Sequence, residues 1–157
     1  MTPPSAGARA LLAGLRVYLG IVFLVALFPK LTAGAPFAPR MTGFLQNVAL
    51  PGAHGFYRAF LEAVVLPHPE LFAGLVLVGE AVAALGLVTG TATRLAGAVA
   101  ALLALNYMLA KGAWPWTPSS NDAAFLVIGL VVAAGAAGRT FGVDGLLAER
   151  FPRAPLW

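Results

Sequence analysis

The sequence predicts an all-α membrane protein, a four-transmembrane-helix bundle with short amphipathic helices in a long outer loop between the first and second spans. Three observations lead there. Hydrophobic residues make up 60% of the 157 positions and charged residues 10%, against about 25% charged in a soluble domain. Ten Lys+Arg and six Asp+Glu are too few to cover a water-exposed globule, and the mean hydropathy is +0.87. The apolar residues also gather into runs near the ~20 residues that cross a bilayer.

The first run is expected as a span at about 11–30, with Pro29 ending or kinking it. It is too long for the apolar core of about 7–15 residues of a cleavable signal peptide. The second is expected at 70–90, interrupted by Glu80, the third at 93–111 between Arg94 and Lys111, and the fourth at 121–138 between Asp122 and Arg139. An even number of spans puts both termini on one side. Arg9, Arg16, Arg94, Arg139, Arg150 and Arg153 then oppose Lys30, Arg40, Arg58 and Lys111. That excess is expected to place both termini in the cytoplasm. The reading treats 1–157 as one membrane domain, with an amphipathic loop at 40–66 and a cytoplasmic tail at 139–157.

Within the loop, Met41, Phe44, Leu45 and Val48 recur at helical spacing, and Phe56, Tyr57, Phe60, Leu61 and Val64 form a second stripe. Two short helices that lid the bundle or lie in the interface account for the pattern. Gly86 with Gly90, Gly97 with Ala101 and Ala100 with Ala104 are small-residue pairs that let helices approach closely. In the tail, Gly138 is expected to end the fourth helix in a left-handed cap. Asp144 is expected to N-cap a short helix over 145–151.

The composition also excludes chemistry. Without cysteine there are no disulfides, thiolate metal sites, Fe–S clusters or Cys nucleophiles. His54 and His68 lie outside the apolar runs, so neither haem nor another metal is expected. The net charge of +4 comes from scattered cations that form no nucleic-acid stripe.

Glu80 is the most informative residue. A charge in mid-span costs from about 3 to over 10 kcal/mol, so it must be protonated, paired, or turned to a polar cavity. It is either a proton-handling or ligand-binding carboxylate or one half of an interhelical pair. Counting helix rise, Arg16 lies roughly 6 Å from it in depth and Lys30 roughly 13 Å, which makes Arg16 the expected partner. Asn106 is expected as interhelical glue or a ligand contact, and its neighbour Tyr107 offers a hydroxyl or faces lipid. Lys30, Lys111, Trp114, Trp116 and Asn121 collect at the outer mouth, as an interfacial belt or as the rim of a pocket for a flat apolar molecule such as a quinone. Ser120 or Asn121 is expected to cap the fourth helix.

Taken together these residues resemble the DoxX family, which includes the DoxD-type small subunit of thiosulfate:quinone oxidoreductase. The likeness rests on Arg16-Val-Tyr-Leu-Gly20, Phe28-Pro29-Lys30-Leu31, Gly79-Glu80, Gly86-Leu87-Val88-Thr89-Gly90 and Thr93-Arg94. It continues through Trp116 and Asn121 to Gly138-Arg139-Thr140-Phe141-Gly142-Val143-Asp144, covering about residues 9–148. The resemblance implies a bacterial inner-membrane protein with quinone-linked redox chemistry, including sulfur-compound oxidation. Glu80 and Arg16 would act as the catalytic pair, with Asn106, Lys30, Lys111, Trp114, Trp116 and Asn121 binding substrate. Partners would be the lipid bilayer, a second subunit or soluble redox protein, and further copies of the chain. The alternative is a non-enzymatic scaffold for a redox complex. A third reading is a small proton-coupled transporter.

Overall fold

The computed structural model describes residues 5–151, and every regular element in them is helical. Residues 1–4 and 152–157, including Arg153 of the tail, lie outside the described residues. Helix α1 spans Ala6–Thr32 and starts at Ser5, whose hydroxyl accepts from the Ala8 N–H at 3.2 Å. It does not stop at Pro29. It runs three residues further, and the Thr32 hydroxyl bonds the Phe28 carbonyl at 2.9 Å. Helices α5 (Pro69–Thr89) and α6 (Thr93–Ala110) are, with α1, long and apolar enough to cross a membrane. Tyr18, Ile21, Val25 and Phe28 on α1, and Leu71, Leu75, Val78 and Leu85 on α5, are exposed. Apolar side chains left outside the packed core at this density suit lipid as the surrounding solvent.

The expected fourth span is shorter than the sequence suggests. Helix α7 covers Asp122–Ala134, 13 residues, and breaks at Gly135. Ala136 takes a left-handed φ of 47°, and a 3₁₀ turn follows at Ala137–Arg139. Gly138 therefore sits inside that turn and is not the cap of α7. Neither Ser120 nor Asn121 gives α7 a normal side-chain cap: Asn121 holds the N-cap position in helical geometry without a cap bond.

Two glycine contacts set how the helices lie together. A Cβ on Gly20 would stand 2.8 Å from the Val88 nitrogen, so α1 and α5 touch backbone to backbone there. On α6, a Cβ at Gly97 would stand 2.9 Å from both the Ala133 nitrogen and the Gly129 carbonyl oxygen. The Gly97–Ala101 face thus packs on a Gly129–Ala133 face of α7, the close approach that small residues permit. Gly90 has a different job from the one its GxxxG spacing suggests. It is the left-handed C-cap of α5 (φ 71°), bonding back to the Gly86 carbonyl.

The long loop is helical as its periodicity predicts. Helix α2 (Phe37–Phe44) continues through a π-helical stretch, Leu45–Ala49, into a short turn of helix, α3 (Leu50–Gly52). Helix α4 (Gly55–Phe60) likewise passes into a π-helical stretch, Leu61–Val65. Their buried residues form a core of their own with Ala73 of α5 and Ala110 of α6. A second core, around Leu19, Phe23, Leu87 and Val132, fills the other end of the bundle.

The tail folds back onto that other end. Helix α8 (Val143–Arg150) follows Gly142, and Asp144 does not cap it. Instead the Asp144 carboxylate accepts from the Ala92 N–H at 2.7 Å, the Thr93 N–H at 2.9 Å and the Thr93 hydroxyl. Asp144 is thus the N-terminal cap of α6, supplied from fifty residues along the chain.

Candidate functional site

Glu80 lies in the middle of α5 with no exposed surface. Its Oε1 accepts from the Lys30 ammonium in an ion pair and from the Tyr107 hydroxyl at 2.6 Å. Its Oε2 is buried without a hydrogen-bond partner among the described residues. Lys30 comes from the last turn of α1 and Tyr107 from the C-terminal half of α6, so three helices converge on one carboxylate. A buried carboxylate with one oxygen unsatisfied is costly to keep inside a helical bundle, which makes it the centre of the candidate site.

The partner is therefore Lys30 and not Arg16, which corrects the depth count. That count aligned the spans by their ends, whereas the Gly20–Val88 contact fixes the true register. Counting from it, Glu80 is level with Leu27–Phe28, about 4 Å along the axis from Lys30, a gap that a lysine stem bridges. Arg16 is level with the turn after α5. There it is buried, donates to the Phe141 carbonyl at 2.9 Å, and feels the charge of Asp144. Arg16 belongs to the tail junction and has no contact with Glu80.

Above Lys30 and Tyr107 opens a cavity of ≈ 730 Å³, within the range of small-molecule sites. Both side chains line it, while Glu80 stands behind them. Met41, Phe44 and Leu45 close one wall, and Phe60, Leu61 and Val65 another. Each of these walls includes one of the π-helical stretches, a rare geometry that recurs at functional sites. Leu75 of α5 and Leu102 of α6 line the cavity while remaining exposed. The cavity thus opens sideways, toward the surface that lipid tails would cover.

Asn106 also lines the cavity. Its Oδ1 accepts from the Tyr57 hydroxyl at 2.7 Å, and its Nδ2 donates to the Leu102 carbonyl at 2.7 Å. The bond from Tyr57 ties α4 down onto α6. Burial raises the Tyr57 pKa above the usual tyrosine range, so its hydroxyl stays a donor. The spacing of Tyr57 marks it only as one member of an apolar stripe. Its hydroxyl within that stripe is the signal that it needs a partner.

The remaining expected site residues lie elsewhere. Lys111 is paired with Asp122 at 2.9 Å. Trp114 and Trp116 stack on each other with centroids 5.7 Å apart, and Trp114 meets the His54 ring at 4.3 Å. Neither tryptophan lines the cavity, and nor does Asn121, which is exposed at the start of α7. Among the described residues no group of His, Cys, Asp and Glu is arranged to hold a metal ion.

Fold and site together define a class: a helical membrane protein with an apolar side-opening cavity set over a buried carboxylate–ammonium pair. The chain belongs to the DoxD family, whose profile, described as TQO small subunit DoxD, matches residues 11–155. The description names a small subunit and so implies a partner subunit, and TQO, thiosulfate:quinone oxidoreductase, implies a quinone. No curated protein and no solved structure matches the chain.

Proposed function

We propose that this chain is the inner-membrane subunit of a quinone-linked oxidoreductase, and that its cavity receives the quinone ring. The observation that carries the reading is the buried Glu80 carboxylate, with one oxygen unsatisfied, behind a wall of an apolar cavity. Reduction of a quinone consumes protons together with electrons, so the site needs a proton source. In this reading Glu80 holds that proton. Lys30 has hydrogens beyond the one on Glu80 and faces the cavity, so it can hydrogen-bond a ring carbonyl and polarise it. Tyr57 and Asn106 hold the roof in place. The apolar walls exclude water, and the side opening admits a ring that carries a lipid-like tail. Electrons, in this reading from a sulfur compound, reach the ring through the partner subunit.

The test is binding of a redox-silent quinone analogue to the purified full chain in detergent. Wild type is expected to bind specifically, and Glu80→Gln at least about tenfold more weakly, or about 1.4 kcal/mol. Equal binding by both proteins removes Glu80 from the site. No binding by a folded wild type overturns the reading and leaves the chain as a scaffold.

The same proposal includes a fourth crossing by α7 and its following turn, with the loop helices outside and both termini in the cytoplasm. Because the chain has no cysteine, single cysteines report side directly. In intact cells a membrane-impermeant thiol reagent is expected to label Ser119→Cys. Glu149→Cys is expected to react only after the membrane is opened. Labelling of both from outside leaves three crossings.

A further inference from the structure

Lys111 and Asp122 form a second carboxylate–ammonium pair, away from the cavity lining, that the proposed reading does not use. The Lys111 side chain is 49% exposed while that of Asp122 is 8% exposed, so the pair has one end at the surface and one inside. Asp122 also accepts from the Ser120 hydroxyl at 2.9 Å. Lys111, the C-cap of α6, is four residues beyond Tyr107 and still in helical geometry, so the two side chains share one helix face. Tyr107 in turn donates to Glu80, while Lys111, one turn along, donates to Asp122 at 2.9 Å. A line of polar groups thus runs from the surface to Glu80: Lys111 and Ser120, then Asp122, then Tyr107.

We propose that protons reach Glu80 along this line, entering at the Lys111–Asp122 pair and passing through the Tyr107 hydroxyl, and not through the apolar cavity. This rests on the reading that Glu80 supplies a proton to the cavity. Among the described residues that touch Glu80, Tyr107 is the one on the same helix as the turn that carries Lys111. A phenol both donates and accepts, so it can pass a proton inward to Glu80. Each transfer balances. The Lys30 ammonium, which lines the cavity, gives a proton to it and takes the Glu80 proton in its place, and the resulting carboxylate takes the Tyr107 hydroxyl proton. The phenolic oxygen then takes a proton from a hydronium held at Asp122, which leaves water. Ligand and proton thus use separate entrances, one lateral and apolar, the other polar. The charged groups around the line are Lys30 from α1, Glu80 from α5, Lys111 from α6 and Asp122 from α7. Arg16 and Asp144 lie at the other end of the bundle.

The test follows protonation of Glu80 in the full chain with no quinone present, so its result is independent of the binding assay. After a rapid step to acid pH, time-resolved infrared spectra report the carbonyl band of the protonated carboxyl, assigned by its loss in Glu80→Gln. Asp122→Asn does not alter a group that touches Glu80. It is expected to slow the rise of the band about tenfold or more while leaving its frequency and titration midpoint unchanged. Tyr107→Phe, the second variant if Asp122→Asn does not fold, is expected to slow it at least as much. A purely structural role for Asp122 would leave the rate unchanged in a folded protein. Wild-type rates in either folded variant overturn the proposal and send the proton through the cavity.

Discussion

Lys30→Met is expected to destabilise the bundle by about 3–5 kcal/mol, and a second substitution, Glu80→Gln, is expected to restore most of that loss. Removing the ammonium leaves Glu80 fully buried with the Tyr107 hydroxyl as its one remaining donor. An unpaired carboxylate in that position must either bear its desolvation cost or take up a proton. The reverse single change, Glu80→Gln, is expected to cost less. The Lys30 side chain is 20% exposed, with the Phe37 ring 5.5 Å from its ammonium, so it keeps some solvation and a cation–π contact. Unfolding of the four proteins in mild detergent, followed by circular dichroism, gives the coupling energy directly. Additive effects would mean that the pair is not the partnership holding Glu80. Arg16→Met tests the competing partner: it is expected to show no coupling to Glu80→Gln.

Asp144→Ala is the second large effect, at about 3–5 kcal/mol, with release of the tail. Asp144 has no exposed surface and satisfies two backbone N–H groups and one hydroxyl at the start of α6. It also fixes Ala92 in the left-handed region (φ 47°), which a non-glycine residue holds only when its surroundings compel it. Its loss would orphan those donors and remove the charge that faces Arg16, whose Nε and Nη1 have no acceptor among the described residues. Limited proteolysis is expected to cut the variant near residues 139–142 while wild type resists, with the unfolding midpoint lowered in parallel. Asp144→Asn keeps an acceptor oxygen but not the charge, and is expected to fall between the two. Wild-type resistance in Asp144→Ala would show that the tail is held by other contacts.

Much of the helical layout could be read from the sequence because it depends on local pattern. Apolar runs locate α1, α5 and α6, and stripes such as Met41–Phe44–Leu45 locate the loop helices. Mid-span placement alone makes Glu80 conspicuous. Its partner was beyond reach for a physical reason. Which cation meets Glu80 depends on the sliding register of α1 against α5, and the Gly20–Val88 contact that sets it joins residues far apart in the chain. Asp144 misled for a related reason. Its position before a short helix has the local signature of a cap, but three donors at the start of α6 outbid that helix. Tyr57 reads as one member of an apolar stripe and Asn106 as a mid-bundle amide, and only the folding of α4 onto α6 makes them a pair. Trp114 and Trp116 were drawn toward the pocket by chemistry, while the chain leaves them stacked outside it.

The roof and the floor of the cavity come from different stretches of chain, and that separates two kinds of evolutionary change. Met41, Phe44, Leu45, Phe60, Leu61 and Val65 all belong to one segment, residues 37–65, which contributes none of the three groups that meet at Glu80. Substitutions there can reshape the cavity without touching the Glu80 cluster, and small changes in side-chain volume would be the means. Lys30, Glu80 and Tyr107 sit on three packed helices and cannot drift singly without leaving a buried charge stranded. In the proposed reading, selectivity for the guest is thus free to diversify among related chains, while the cluster beneath it is held to one solution.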